Sequence, residues 1–259
     1  MILVEGVEKS YGDTRALAGV SFTVQPGEVF GLLGANGAGK TTLNRCIATL
    51  IRPDAGRIEV AGADPATDPD GVRSALGYLA EFPQLYPALS ADEFLRFAGG
   101  LRGVTGDELT TRIERWLELF ELKDARGRAL KGFSQGMLRK TALAAALLGE
   151  PRVVLLDEPT NGLDPPSVYL FRRVVEGLRE QGKTVLLSSH VLPFVAKVCD
   201  RIGVLAHGRL QAVGTLADLQ QAAGLPDADL EQLFLHFSGL DEELLDRLAV
   251  AGLRGSGAP

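Results

Sequence analysis

Residues Gly34–Thr42 read GANGAGKTT. They follow the apolar run VFGLL (Val29–Leu33) and precede TTLNRCIATLI (Thr41–Ile51), whose apolar residues recur at helical spacing up to the stop at Pro53. The segment fits G-x-x-x-x-G-K-[ST] in full, between a strand and a helix. Successive glycines let neighbouring backbone N–H groups turn toward one anion, and the next helix N-terminus adds positive potential. Gly34, Ala35, Asn36, Gly37, Ala38, Gly39, Lys40, Thr41 and Thr42 are therefore the candidate phosphate cradle. Lys40 is placed to reach β- and γ-phosphates, and Thr41 to ligate Mg²⁺. A glycine-rich turn with a chance lysine is the bland alternative, and the complete pattern in this context weighs against it.

The second half of such a site is VVLLDEP, Val153–Pro159. Asp157 ends a run of four apolar residues, where ligands sit in open α/β sheets, and is a candidate for the metal ion. Glu158 beside it is a candidate to orient and deprotonate an attacking water. A surface or helix-capping carboxylate is the plainer reading of Glu158. His190 ends the next apolar run, KTVLLSSH (Lys183–His190), and points by the same rule to the same crevice. These residues imply a nucleoside triphosphatase. No Asn-Lys-x-Asp motif for reading guanine occurs in the chain.

The remaining chain supplies the frame. Its 259 residues can bury a sizeable core, and 46% hydrophobic with 23% charged residues is an ordinary globular balance. A formal charge of -6 argues against nucleic acid held by broad phosphate attraction. Cys46 and Cys199 form no paired pattern and read as buried thiols. No apolar h-region opens the chain, and no run reaches the ~18 residues needed to span a bilayer. Pro26-Gly27 marks a turn between short strands in the first third. From Ser90 onward ADEFLRFAGGL, TTRIERWLELFEL and MLRKTALAAALLG predict three helices, with Asp92 and Glu93 suited to a first turn. This block interrupts a sheet that resumes as a βαβ unit around the helix PPSVYLFRRVVEGLREQG (Pro165–Gly182). RIGVLAHGRLQAVG predicts a hairpin, and two amphipathic pieces, DADLEQLFLHFSG and LDEELLDRLAVAG, precede a frayed LRGSGAP.

In this order the motifs resemble those of the ATP-binding subunits of ABC transporters, from VEKSYG (Val7–Gly12) to GTLADL (Gly214–Leu219). GANGAGKTT is similar to the Walker A loop, LGYLAE lies where the Q-loop does, and FSQGM (Phe133–Met137) stands as the signature. VVLLDEP resembles Walker B, NGLD the D-loop, and His190 the switch histidine. The resemblance implies an α/β fold with a P-loop (RecA-like) core, an inserted helical subdomain at about 84–150 and a small N-terminal antiparallel β subdomain. It implies an ATP-binding domain over 1–220 and a helical C-terminal extension over 221–259.

It further implies that Tyr11 stacks on adenine, and that Lys40, Glu158 and His190 carry catalysis. Thr41, Asp157 and Glu81 would hold Mg²⁺. Ser134 and the Gly136 N–H would bind the ATP of a second subunit in a head-to-tail dimer, with Asp164 at the same interface. The implied activity is ATP hydrolysis that drives a separate transmembrane permease from the cytoplasmic side of the membrane.

Three departures stand out. Gln135 and Met137 replace Gly and Gln of the common signature, and Glu81 occupies the Q-loop Gln position, a feature of multidrug and ABC-2-type exporters. Gln84 is the substitute if that loop shifts by three residues. Phe82, Leu85 and Tyr86, between prolines, fit a groove for a membrane-domain helix, whereas Phe94 and Phe97 are expected in the core. A soluble ABC-type ATPase that remodels a macromolecular assembly is the alternative. The short separation of the Walker motifs, about a hundred residues without heptads, argues against the coiled-coil DNA-repair relatives. A regulatory, weakly hydrolysing module is a third reading, motivated by the altered signature.

Overall fold

Pro26-Gly27 divides the first apolar stretch. The chain opens with the antiparallel pair β1 (Ile2–Tyr11) and β2 (Thr14–Val24), then enters β3 (Val29–Leu33). The computed structural model describes residues 1–240. The glycine-rich loop leads into α1 (Lys40–Ile47), followed by β4 (Ala55–Val60), α2 (Pro69–Ala75) and β5 (Leu76–Leu79). The inserted helices are α3 (Ala91–Leu101), α4 (Gly106–Leu119) and α5 (Gln135–Leu147). Next come β6 (Val153–Asp157), α6 (Pro165–Glu180), β7 (Thr184–Ser189) and α7 (Leu192–Val198). The hairpin β8 (Arg201–Ala206) and β9 (Arg209–Gly214) precedes α8 (Leu216–Ala223) and α9 (Leu230–Ser238).

The main sheet has the order β5-β6-β7-β3-β8-β9, parallel except for β9, and β2-β1-β4 form a separate antiparallel sheet. The strands near the centre of the main sheet read as continuous apolar runs because both faces are covered. In β6, Val154 and Leu156 enter one apolar layer with α3–α7, while Val153 and Leu155 enter a second layer with α1 and the small sheet. Parallel register fixes the site: Leu33 lies opposite Ser189, and Asp157 opposite Ser188. The loop after β3 and the residues ending β6 and β7 therefore emerge on one sheet edge.

Some local expectations are corrected. The helix after the glycine-rich loop stops at Ile47, not at Pro53. Thr49 takes a left-handed φ of 63°, and the Leu50 and Ile51 N–H groups turn back to Arg45 O. α4 begins at Gly106, four residues before the expected TTRIERWLELFEL. α2, α7 and α8 are short helices that periodicity did not signal. The expected boundary at 220/221 falls inside α8, and Leu219, Leu230 and Leu233 join the apolar layer of Val154 and Leu156. LDEELLDRLAVAG and LRGSGAP lie, but for Leu240, outside the described residues. Cys46 and Cys199 are free; burial pushes both thiols up, Cys46 to about 11.

Candidate active site

The loop between β3 and α1 is shaped by close backbone approach. A Cβ on Gly39 would lie 2.5 Å from Ala16 O, and its φ of 111° is one that L side chains rarely adopt. A Cβ on Gly34 would lie 2.7 Å from Leu205 O. Gly39 caps α1 without a side-chain bond, so the cap residue leaves the first-turn N–H groups free to face a ligand. Lys40 is buried, and its Nζ donates to Gly34 O at 2.5 Å and Ala35 O at 3.3 Å across the loop.

Lys40, Glu158 and His190 form one chain of contacts. Lys40 Nζ stands 3.7 Å from Glu158 Oε1; Glu158 Oε2 lies 2.8 Å from His190 Nδ1 and accepts the His190 backbone N–H at 3.2 Å. The Glu158 carboxylate is buried while the imidazole is half-exposed. Glu158 itself sits in the left-handed region, φ 48°, which favours glycine; its N–H donates to Ser188 O at 2.8 Å. The expectation of a common crevice is met by this geometry. The left-handed turn carries no sequence signal beyond the acidic pair.

Asp157 is fully buried, and neither of its carboxylate oxygens has a hydrogen-bond partner of normal geometry. Burial, then repulsion from Glu81 and Glu158, pushes its pKa up to about 6; Thr41 and Asn44 approach closely enough to offset part of this. Such an orphaned anion beside a Thr hydroxyl fits a divalent cation. Among the described residues no cluster of three or more His, Cys, Asp or Glu forms a complete metal cage.

The raised Asp157 pKa makes a stability prediction. The folded state holds its proton up to about pH 6, whereas the unfolded chain releases it near 3.8. The site therefore costs stability as pH rises from about 4 through 6, and the cost persists above that. Asp157→Asn should raise the melting temperature of the nucleotide-free protein at pH 8 relative to wild type. The gain should be on the order of 1 kcal/mol, after about 1–3 kcal/mol for burying an amide is set against the lost charge penalty. The advantage should shrink at pH 5, and ATP turnover should be lost. A melting-temperature difference that does not change between pH 5 and pH 8 would contradict the assignment.

The other expected residues stand apart from this group. Ser134 caps α5 by accepting the Met137 N–H at 3.2 Å, and Asp164 caps α6 by accepting the Ser167 N–H at 3.1 Å. Tyr11 is exposed at the end of β1, beneath the Lys9 ammonium. No hydrogen bond or ion pair among the described residues joins Tyr11, Ser134, Gly136 or Asp164 to Lys40, Glu158 and His190. Gly136 faces Leu163, and Gln135 Oε1 would lie 3.2 Å from a Cβ on Gly162, so the altered signature packs against NGLD. Met137 packs on the main apolar layer. Gln84 is exposed and, among the described residues, bonds within its own loop, while Glu81 is the residue near Asp157.

A cavity of about 350 Å³ lies beside that loop, lined by Leu85, Tyr86, Phe94, Phe97 and Leu101 among others. Phe94 is buried as expected. Phe97 is not: it is 44% exposed and meets Tyr86 edge-on at 5.5 Å, so it belongs to the groove. Helical periodicity put both on one face, but α3 turns that face partly outward. Motif reading also missed Arg139, whose buried guanidinium donates to the backbone carbonyls of Glu81 and Glu158.

The family model described as ABC transporter matches residues 17–161. The chain is 42% identical over 223 residues to the daunorubicin resistance ATP-binding protein DrrA3 of Streptomyces coeruleorubidus, covering 86% of this chain and 71% of that protein. A solved ATP binding subunit of an ABC transporter superposes with a TM-score of 0.87 at 33% identity, covering 92% of this chain and 99% of that one. The dimeric post-hydrolysis state of the ATP-binding cassette MJ0796, bound to ADP and Pi, superposes at 0.77 with 26% identity, over 83% of this chain and 99% of the other.

Proposed function

This chain belongs to the ABC transporter family of ATP-binding proteins, and on that footing we propose how its residues turn ATP hydrolysis into export by a membrane-embedded permease. The observation that carries the reading is the contact chain Lys40–Glu158–His190 at the carboxyl edge of the sheet. Lys40 neutralises phosphate charge as it develops in the transition state. Glu158 accepts a proton from the attacking water, and His190 holds that carboxylate in register. Thr41, Asp157 and Glu81 would hold Mg²⁺, which when bound would neutralise phosphate oxygens. The N–H groups of Gly34–Thr42 cradle the phosphates, and Tyr11 stacks on the base.

Ser134 and Gly136 act on the ATP of a second subunit packed head to tail, with Asp164 at the same interface. The exposed cap of α5 supports this, since its positive end has no partner charge in its own first turn. No helix among the described residues is long and apolar enough to cross a membrane. The aromatic groove at Tyr86 and Phe97 is the surface we assign to a permease helix, with the subunit peripheral on the cytoplasmic face. The resistance function in the name of DrrA3 favours export over import.

Mixing Lys40→Ala subunits with Ser134→Arg subunits tests the dimer. Each is nearly inactive alone. In a head-to-tail dimer one composite site of the mixed pair carries both lesions and the other neither. Turnover at equal mixing should then return to about a quarter of wild type. Cysteines at Ser134 and at the exposed Asn36 of unlike subunits, with Cys46 and Cys199 replaced, should crosslink when ATP is added. No recovery together with crosslinks only within one chain would reject the arrangement. Co-purification of a membrane protein from native membranes tests the permease.

A further inference from the structure

Arg139 lies on α5, five residues past Ser134, and is 7% exposed. A guanidinium so placed normally meets a carboxylate, yet no ion pair to Arg139 occurs among the described residues. Its donors go instead to main chain. Nη2 donates to Glu81 O at 2.7 Å and Nη1 to Glu158 O. The two carbonyls belong to two residues already assigned to the site, one on the loop after β5 and one after β6. Burial lowers the Arg139 pKa, while Glu81, Glu158 and Asp157 favour its charge.

The Glu158 backbone needs such a hold. A non-glycine residue at φ 48° costs on the order of 1–3 kcal/mol and persists only where its surroundings over-determine it. Three groups do so. The Glu158 N–H donates to Ser188 O at 2.8 Å, and its carbonyl accepts the Asn161 N–H at 3.2 Å and the Arg139 guanidinium. Two of these are main-chain contacts, one from the neighbouring strand β7 and one within the turn itself. Arg139 is the side chain among the three, and it reaches in from the helical insert.

We propose that Arg139 is a positioning residue: it holds the peptide of Glu158 so that the carboxylate stays aimed, and it makes that aim depend on the Glu81 loop and on α5. The guanidinium fork is needed because the two carbonyls must be held at once, and a lysine ammonium on a flexible stem does not impose a fixed planar spacing. A displacement of the Glu81 loop or of the Ser134 helix would then reach the water-activating residue through one side chain. This rests on the reading of Glu158 as the base, so both are tested together.

The experiment measures steady-state ATP turnover by wild type, Arg139→Lys, Arg139→Met, Glu158→Gln and the double variant Arg139→Met/Glu158→Gln. Arg139→Met keeps the apolar stem and should lower kcat about 10- to 100-fold with KM for ATP within about 3-fold. Arg139→Lys should recover part of that loss, because one carbonyl can still be held. In the Glu158→Gln background, Arg139→Met should lower residual turnover by less than about 2-fold, since a misaimed amide loses nothing further. A kcat for Arg139→Met within about 2-fold of wild type overturns the proposal. An equal loss in both backgrounds, or a loss that raises KM in proportion, also overturns it and makes Arg139 a structural residue. Where Arg139→Met does not fold, Arg139→Lys is read by the same kcat-against-KM criterion, and wild-type kcat in it overturns the proposal. If Glu158→Gln itself turns over like wild type, the base assignment has failed, which is a result separate from any of these.

Discussion

Glu158→Gln is expected to keep ATP binding and to lower turnover by about 10²–10⁴-fold, the range that a positioned base contributes. The amide has nearly the shape of the carboxylate but cannot accept a proton from water. The neighbours dictate how it will sit. Oε2 accepts the His190 N–H, so the amide oxygen must take that place and the NH₂ must face Lys40. The Lys40–Glu158 attraction at 3.7 Å is thereby removed, which leaves the ammonium freer for phosphate. ATP affinity should therefore be unchanged or a few-fold tighter, and with ATP and Mg²⁺ the variant should elute as a dimer on a sizing column. Turnover equal to wild type would place the base elsewhere.

Lys40→Ala is expected to remove binding as well as turnover. Its ammonium is the single point charge of the loop, and charge-assisted bonds to phosphate are worth about 1.5–3 kcal/mol each. Losing one or two corresponds to roughly 10–10⁴-fold in affinity. The same side chain bridges Gly34 O and Ala35 O, so its loss also loosens the cradle. Calorimetric titration of ATP should give no measurable heat at concentrations that saturate wild type. Glu158 would also lose the cation beside it, so activity cannot be recovered by raising ATP alone. Wild-type affinity in this variant would reject the role of Gly34–Thr42.

The two variants separate binding from chemistry, and Ser134 separates one subunit from two. A substitution at Ser134 that acted only through its helix cap would cost about 1 kcal/mol of stability and spare turnover. Loss of turnover at a temperature where the variant is still fully folded points across the interface instead.

Gly34–Thr42, Asp157, Glu158 and His190 were legible in the chain because each is announced locally. Glycine spacing, an acidic pair after four apolar residues and a histidine at a strand end are all read within about ten positions. The same holds for the strands covered on both faces and for the acidic first turn of α3 at Asp92 and Glu93, where Glu93 accepts the Ser90 N–H at 2.8 Å. Where local signals were weak, boundaries moved. Nothing in TTLNRCIATLI announces that Thr49 turns left-handed, so α1 ends four residues earlier than its apolar spacing. Phe97 shares its helix face with Phe94, and only the packing of α3 against its neighbours decides that one is buried and the other exposed.

Amino-acid order alone determined which residues we propose for the chemistry: a glycine-rich loop with Lys40, the acidic pair Asp157 and Glu158, and His190, on a parallel sheet. A common crevice was expected from the strand ends; tertiary structure decided the contacts by which they meet. Leu33 and Ser189 are far apart in the chain and become neighbours through parallel register, a non-local choice set by which apolar faces the two layers bury. It also decided that Asp157 is buried without a partner, that Glu158 bends into a left-handed turn, and that Arg139 reaches both Glu81 and Glu158. These are facts about backbone carbonyls and desolvation. A carbonyl is the same group in every residue, so which ones a buried guanidinium finds is written in the fold and in no motif.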